Sequence, residues 1–513
     1  MAGERGPGVI EETIQIHDKK QFEIKLGYPF TGEEGAKVYD VETYFFFPNN
    51  LGINRYTYTR EDFYNSTQIY VRLQTPVVLL RNMAAGKDSP LEKLKDAIEG
   101  LFATESAGED EKSFADYEYQ LKMFCCIFKS AVRDHVQFIS RKKHDLNSRN
   151  TSLRQQDFKD LVDKYLAGIN ATVTAFRSLR TLVNVPTRNK EIFSVFLFGD
   201  EYLSLLIEYY TYDLIQVINR LDFSEKESFN PRLLALIKTE LDYRRANNYP
   251  SIPSINSTNE EFLFRSSVLK KFMGNVLFLT TKFKHEGELL EQIAFALAAG
   301  IAMMFATTAV FFAQAAYSTV STPLFLVLVI SYMFKDRIKE FIRTYLGAKL
   351  RTRLFDHKRK IYFNAKQKLG WCRESFVFLK SEKLPRTIVK LRAKDHITEV
   401  ENDWVGEKVI LYRKQVKILN RQFRSIHHDY PVNSIVDIMR LNVSRFLTRM
   451  DNSKTPIYVC DSKGCQRIFG NRVYHVNMIM KHSGNGRVVY RRFRLVLNQN
   501  GIKRIEEVTI DTN

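Results

Sequence analysis

Residues 293–334 read IAFALAAGIAMMFATTAVFFAQAAYSTVSTPLFLVLVISYMF, 42 positions without Asp, Glu, Lys, Arg or His. No helix of a water-soluble surface needs such a run. Its first part, Ile293 to Tyr317, is about 37 Å long as a helix at ~1.5 Å per residue, more than the ~30 Å hydrocarbon layer of a bilayer. Ser318-Thr319-Val320-Ser321-Thr322-Pro323 then interrupts it with hydroxyl side chains and a proline placed to open a new helix. The second part, Thr322 to Phe334, reaches only about 20 Å, so it spans by snorkelling or thinning, or re-enters. The run is thus expected to form a hydrophobic helical hairpin. Ala294, Ala298, Ala302 and Ala306 recur every four residues as a small-residue ridge for helix packing, either within the hairpin or between copies in a homo-oligomer.

Basic residues flank the run: Lys270, Lys271, Lys282 and Lys284 before it, and Lys335, Arg337, Lys339 and Arg343 after it. The positive-inside rule places both flanks in the cytoplasm and gives a multi-pass protein, with a bacterial inner membrane as the expected location. The hairpin is also a charge boundary. Residues 1–334 hold 38 Lys and Arg against 41 Asp and Glu, a net of −3, whereas residues 335–513 hold 39 against 17, a net of +22. The asymmetry points to an anionic partner for the C-terminal part. Lys335, Arg337, Lys339 and Arg343 are the expected lipid contacts, since juxtamembrane cations attract anionic headgroups by about 1 kcal/mol each.

Toward the N-terminus, the first ninety residues read as strands. Ile14 and Ile16, then Phe22, Ile24 and Leu26, alternate with polar neighbours around the turn His17-Asp18-Lys19-Lys20, and Tyr44-Phe45-Phe46-Phe47 ends at Pro48. From Pro90 the period becomes helical, with helices expected at 90–103, 113–143, 152–183, 188–222 and 230–246, and a Pro- and Ser-rich linker follows. Toward the C-terminus a basic helix is expected from Lys335 to about Asn364. Asn485-Gly486 and Asn500-Gly501 then mark the turns of a three-stranded meander. A single helix, Ser434 to Arg449, capped by Asn433 or Ser434 and favoured by Asp437 in its first turn, is expected between them.

The expected architecture is therefore an α+β membrane-anchored protein. It comprises an N-terminal antiparallel β unit (1–89), a helical bundle (90–248), a linker (249–258), a pre-membrane helix (259–292) and the transmembrane hairpin (293–334). A basic juxtamembrane helical segment (335–383) and a basic β-rich C-terminal α+β domain (384–513) with the meander complete it.

Five cysteines without repeating spacing suggest a reducing compartment. No phosphate-loop, dinucleotide, nucleophile-elbow or H-E-x-x-H motif occurs, so no enzyme class is indicated and catalytic residues are not assigned. Cys460 and Cys465, with His475 and His482 downstream, could hold zinc, although C-x4-C also sets two sulfurs facing across a hairpin turn. His427-His428-Asp429 could supply further ligands or a base but reads as a loop. Asp200, Glu201, Glu208 and Asp213 lie among aromatics and read as exposed charge beside a packing face. Arg487, Arg491, Arg492 and Arg494 would serve nucleic acid, although neighbours on one strand point to opposite faces. The leading expectation is a non-enzymatic scaffold or sensor. Its N-terminal module binds a protein partner and its basic module docks on anionic lipid or an acidic protein. A metal-assisted enzyme and a membrane-associated nucleic-acid binder are the alternatives.

Overall fold

A computed structural model of the chain describes residues 10–29, 35–103, 107–146, 151–184, 190–220, 226–286, 288–316, 322–351, 354–392, 407–424, 429–461, 464–484 and 486–510. The fold is mixed α and β with antiparallel sheets, and it divides into two compact units, residues 1–73 with 279–513, and residues 74–278. The strands before 74 and those after 279 share sheets, so the N-terminal strands do not stand apart as a β unit of their own.

The first unit begins with a hairpin of β1 (Glu11–Asp18) and β2 (Gln21–Pro29), in which Ile14 faces Ile24 and Ile16 faces Phe22, as the alternation requires. β2 continues onto β9 (Ser434–Asn442) and β9 onto β4 (Thr67–Leu73), giving a four-stranded sheet in the order β1-β2-β9-β4. β9 corrects the helix expected over Ser434–Arg449. Ile435, Ile438 and Met439 suit either period, but β9 lies between two strands with both faces covered, and such a strand loses its alternation. Only Ser444–Leu447 is helical there.

The second sheet has eight strands. In spatial order they are β14 (Gly501–Val508), β13 (Arg487–Asn498), β12 (Tyr474–Gly484), β3 (Ala36–Pro48), β8 (Glu407–Leu419), β7 (Gln367–Leu379), β6 (His357–Phe363) and β5 (Thr280–His285). β3 explains the aromatic run. Tyr44 and Phe46 pack with Val409, Ile479 and Ile388 on one face, while Phe47 meets the Phe446 ring at 4.9 Å on the other. The meander β12-β13-β14 forms as expected, with Asn485 of its first turn lying outside the described residues. Gly501 is required at its second turn: its φ is +129°, and a Cβ there would lie 2.3 Å from the carbonyl oxygen of Lys19. β10 (Lys454–Asp461) and β11 (Gly464–Asn471) form a separate two-stranded hairpin.

Two further expectations change. The pre-membrane segment 259–292 contains the edge strand β5 after its helix Glu260–Gly274. The basic segment 335–383 is helical only to Arg351 and then supplies β6 and β7. Lys358 and Arg359 of β6 are half-buried and tolerated there because carboxylates face them, Glu374 at 3.3 Å from Arg359 and Glu286 at 3.9 Å from Lys358.

Between the two sheets lies a buried ionic group. Lys414 of β8 pairs with Asp437 of β9 and lies 3.5 Å from Glu374 of β7, which also holds Arg359 of β6 at 3.3 Å. Burial works against the charge on Lys414, but the carboxylates of Asp437 and Glu374 keep its pKa above the ordinary value, and burial raises that of Asp437. Asp437 is thus an ion-pair partner across the sheets and not a helix-dipole residue.

The second unit is helical: α2 (Pro90–Ala103), α3 (Ala107–Leu146), α4 (Thr151–Ser178), a short α5 (Arg180–Val183), α6 (Lys190–Asn219), α7 (Lys226–Ala246) and α8 (Glu260–Gly274), following α1 (Arg60–Asn65) of the first unit in chain order. Its core includes the stacked rings of Phe124, Phe176 and Phe196.

Candidate functional site

The uncharged run lies in α9 (Glu288–Ala316) and α10 (Thr322–Arg351), two helices packed against each other. The alanine ridge faces inward: Ala298 and Ala302 are fully buried, with Ala294 and Ala306 nearly so, and the Ser331 hydroxyl donates to the Ala306 carbonyl at 3.2 Å. Small residues and a hydroxyl on a backbone carbonyl are the usual means of bringing two helices close where water is absent. Leucine at Ala302 would force the helices apart, and a loss of about 1–3 kcal/mol is expected, measured by chemical denaturation.

The outer surface is the reverse. Met304, Phe311, Phe312, Phe325 and Met333 are each more than half exposed. Only 22% of the most apolar stretch of Leu290–Ala316 is buried, so this helix does not have the covered surface of a core helix. It is long and apolar enough to cross a membrane. Among the described residues no other helix is. This corrects the multi-pass protein expected in a bacterial inner membrane with both terminal parts in the cytoplasm. α10 is 30 residues long, but its charges begin at Lys335 and leave too short an apolar span.

The geometry sets the levels of the two helices. Ser331 lies beside Ala306, and the Arg343 guanidinium lies over the Phe295 ring at 4.6 Å. Residues 304–316 therefore run beside 322–334, and this end is apolar on both helices for about 20 Å. Below it α9 is still apolar while α10 carries Lys335, Arg337, Lys339 and Arg343. Lys335 covers the Tyr332 ring at 3.8 Å, and Arg343 lies 3.9 Å from Glu340. Both feet are pinned at one place. β5 enters α9 and β6 leaves α10, and these strands pair from Thr280 with Tyr362 to His285 with His357. The two ends of the hairpin thus leave one edge of one sheet side by side.

The metal candidates do not gather. Cys460 and Cys465 stand directly opposite in β10 and β11 and are joined by a disulfide, so neither offers a free thiolate. The bonded pair also runs against the reducing compartment read from cysteine count. His475 lies on β12 in another sheet, and His427 and His428 fall outside the described residues. Among the described residues no group of three or more potential ligands occurs.

Of the α6 carboxylates Asp200, Glu201, Glu208 and Asp213, the last is exposed as expected and Glu208 is half-buried, but the first two are not exposed charge. Asp200 and Glu201 are buried, Arg177 bridges Asp200 and Glu240, Arg265 holds Glu201 at 2.6 Å, and Arg244 pairs with Glu208. Arginines from α4, α7 and α8 thereby supply the counter-charges that a metal would have supplied. Three of the four β13 arginines are likewise engaged, while Arg487 is exposed. Arg491 meets Glu507 at 2.8 Å, Arg494 meets Glu506 at 3.3 Å, and Arg492 donates to the Leu391 carbonyl, burial pushing its pKa down to about 10. Set against known proteins, the chain matches no family model and no curated protein.

Proposed function

We propose that the protein is a non-enzymatic scaffold held at a membrane surface by a one-sided helical hairpin. The observation that carries this reading is the reversal of polarity in α9 and α10, with alanines inside and large apolar side chains outside. The end that is apolar on both helices, about 20 Å deep, exceeds one leaflet of a ~30 Å hydrocarbon layer but does not cross it. Both feet leave the same sheet edge, which suits entry and return on one side. Lys335, Arg337 and Lys339 then stand at headgroup depth, and the +22 charge of residues 335–513 favours anionic lipid. The helical unit, closed by its own ion pairs, is the module for a protein partner.

Flotation with vesicles tests the reading. The full chain is expected to rise with vesicles containing phosphatidylglycerol. Raising salt should weaken the basic contribution but not release the protein, because apolar burial is not screened. Protein that stays at the bottom of the gradient at low salt with these vesicles overturns it.

A further inference from the structure

Where β5 and β6 hand over to the hairpin, the first unit contains an open cavity of about 420 Å³. Its walls are aromatic. The His357 ring lies 4.2 Å from Tyr64, 4.7 Å from Phe283 and 4.9 Å from His285, centroid to centroid. Its floor is Asp356, which accepts hydrogen bonds from Arg60 at 2.7 Å, from the Tyr64 hydroxyl at 2.9 Å and from the Phe376 amide at 2.8 Å. Arg60 and Tyr64 reach it together because they are four apart on α1, whose start is fixed by the reciprocal Thr59–Asp62 capping box. Asp356 is therefore fully engaged and is scaffold to the cavity.

Two polar atoms on the wall are not engaged. Glu286 uses one carboxylate oxygen on Arg373, at 2.7 Å, while its Oε2 is buried without a hydrogen-bond partner, as is Nδ1 of His357. Burial, and then the neighbouring His285, hold His357 below the ordinary imidazole value, so at neutral pH its ring is uncharged and has a lone pair to offer. Among the described residues the lining carries four carboxylates, Glu61, Glu286, Glu291 and Asp356, and the guanidinium of Arg60, while Arg373 and Lys358 approach the other oxygen of Glu286 at 2.7 and 3.9 Å.

Acceptors, carboxylates and ring faces around one cavity select a cation with N–H groups. A divalent metal gains nothing from ring faces, and no three-ligand cluster is present among the described residues. A quaternary ammonium would enjoy the rings but leave the Glu286 and His357 acceptors unmatched. We propose that this cavity binds a primary ammonium group, borne either by a free small amine or by the ethanolamine headgroup of a phospholipid. The lipid source rests on the membrane reading above, since the cavity lies at the hairpin's feet; the free amine does not.

The test uses the full chain in detergent, with ethanolamine as probe and choline as control. Trp371 reports on the site, because Arg373, the partner of Glu286, lies 4.6 Å over its ring. A saturable fluorescence change with millimolar ethanolamine is expected, with choline at least tenfold weaker. Glu286→Gln should weaken ethanolamine about 10–100-fold, the worth of a charged hydrogen bond. Phe283→Ala removes a half-exposed ring with little risk to folding and should weaken it about two- to fivefold. No saturable response to ethanolamine, choline binding as tightly, or wild-type affinity in both variants overturns the proposal. Flotation with phosphatidylethanolamine against phosphatidylcholine vesicles separates the sources. A preference for the former that is lost in Glu286→Gln assigns the lipid, and equal flotation with soluble ethanolamine still bound assigns the free amine. If flotation fails altogether while ethanolamine binds, the membrane reading falls and this one stands.

Discussion

Replacing Lys414 with alanine is expected to destabilise the sheet unit by about 3–5 kcal/mol, enough to leave a large fraction unfolded at ordinary temperature. The side chain is 2% exposed, and its ammonium is shared between Asp437, also buried, and Glu374, which is fully buried. Removing it leaves one carboxylate with no cation and the other with Arg359 alone, in a medium where an unpaired charge cannot be hydrated. The comparison that isolates the charge is Lys414→Met together with Asp437→Asn, which removes both members of the direct pair. This double variant should recover more than half of the loss, because it is the orphaned charge that costs most. Chemical denaturation followed by the near-ultraviolet signal of the packed tyrosines would measure both. Equal losses in the single and double variants would mean that packing, and not charge, sets the effect.

Aspartate at Phe311 and at Leu326 is expected to lower vesicle partitioning by about a thousandfold or more while leaving the fold intact. Both side chains point outward from the apolar end of the hairpin, 67% and 53% exposed, so in water the substitutions remove no packing. A carboxylate near the middle of a bilayer costs about 2.5–3.5 kcal/mol per residue, and every 1.4 kcal/mol is a factor of ten. Helical circular dichroism should be unchanged and flotation abolished. Unchanged flotation would mean that this end of the hairpin does not enter lipid. The contrast with Ala302→Leu is informative, since that change affects helix packing and leaves the outer surface alone.

Much of the local structure was legible because it depends on neighbours within one turn or one hairpin. Period two around Lys19-Lys20 produced β1 and β2, and Asn500-Gly501 marked the last turn of the meander. Pro90 opened a helix that ends at Ala103 as expected. Of the site, the alanine ridge was legible and its burial follows from spacing. The cavity was not. Arg60, His285 and His357 are separated by up to about 300 residues, and no local pattern marks residues whose only relation is that three segments meet at a sheet edge. Asp200 and Glu201 were misread as exposed for a similar reason: their arginine partners lie on other helices.

Composition and period alone establish that one 42-residue stretch avoids charge, that basic residues accumulate after it, and where the first hairpin and the bundle begin. These are properties of composition and period, which act at short range. That Ser434–Asn442 is a strand follows from long-range packing, because an apolar run takes its conformation from what covers it, and β2 and β4 cover both its edges. The tertiary structure likewise decided that β3 from the N-terminal part lies between β8 and β12, that Cys460 and Cys465 bond to each other, and that both ends of the hydrophobic hairpin leave a single sheet edge. Each of these is a pairing between distant segments, selected by burial across the whole fold, and short-range periodicity carries no record of it.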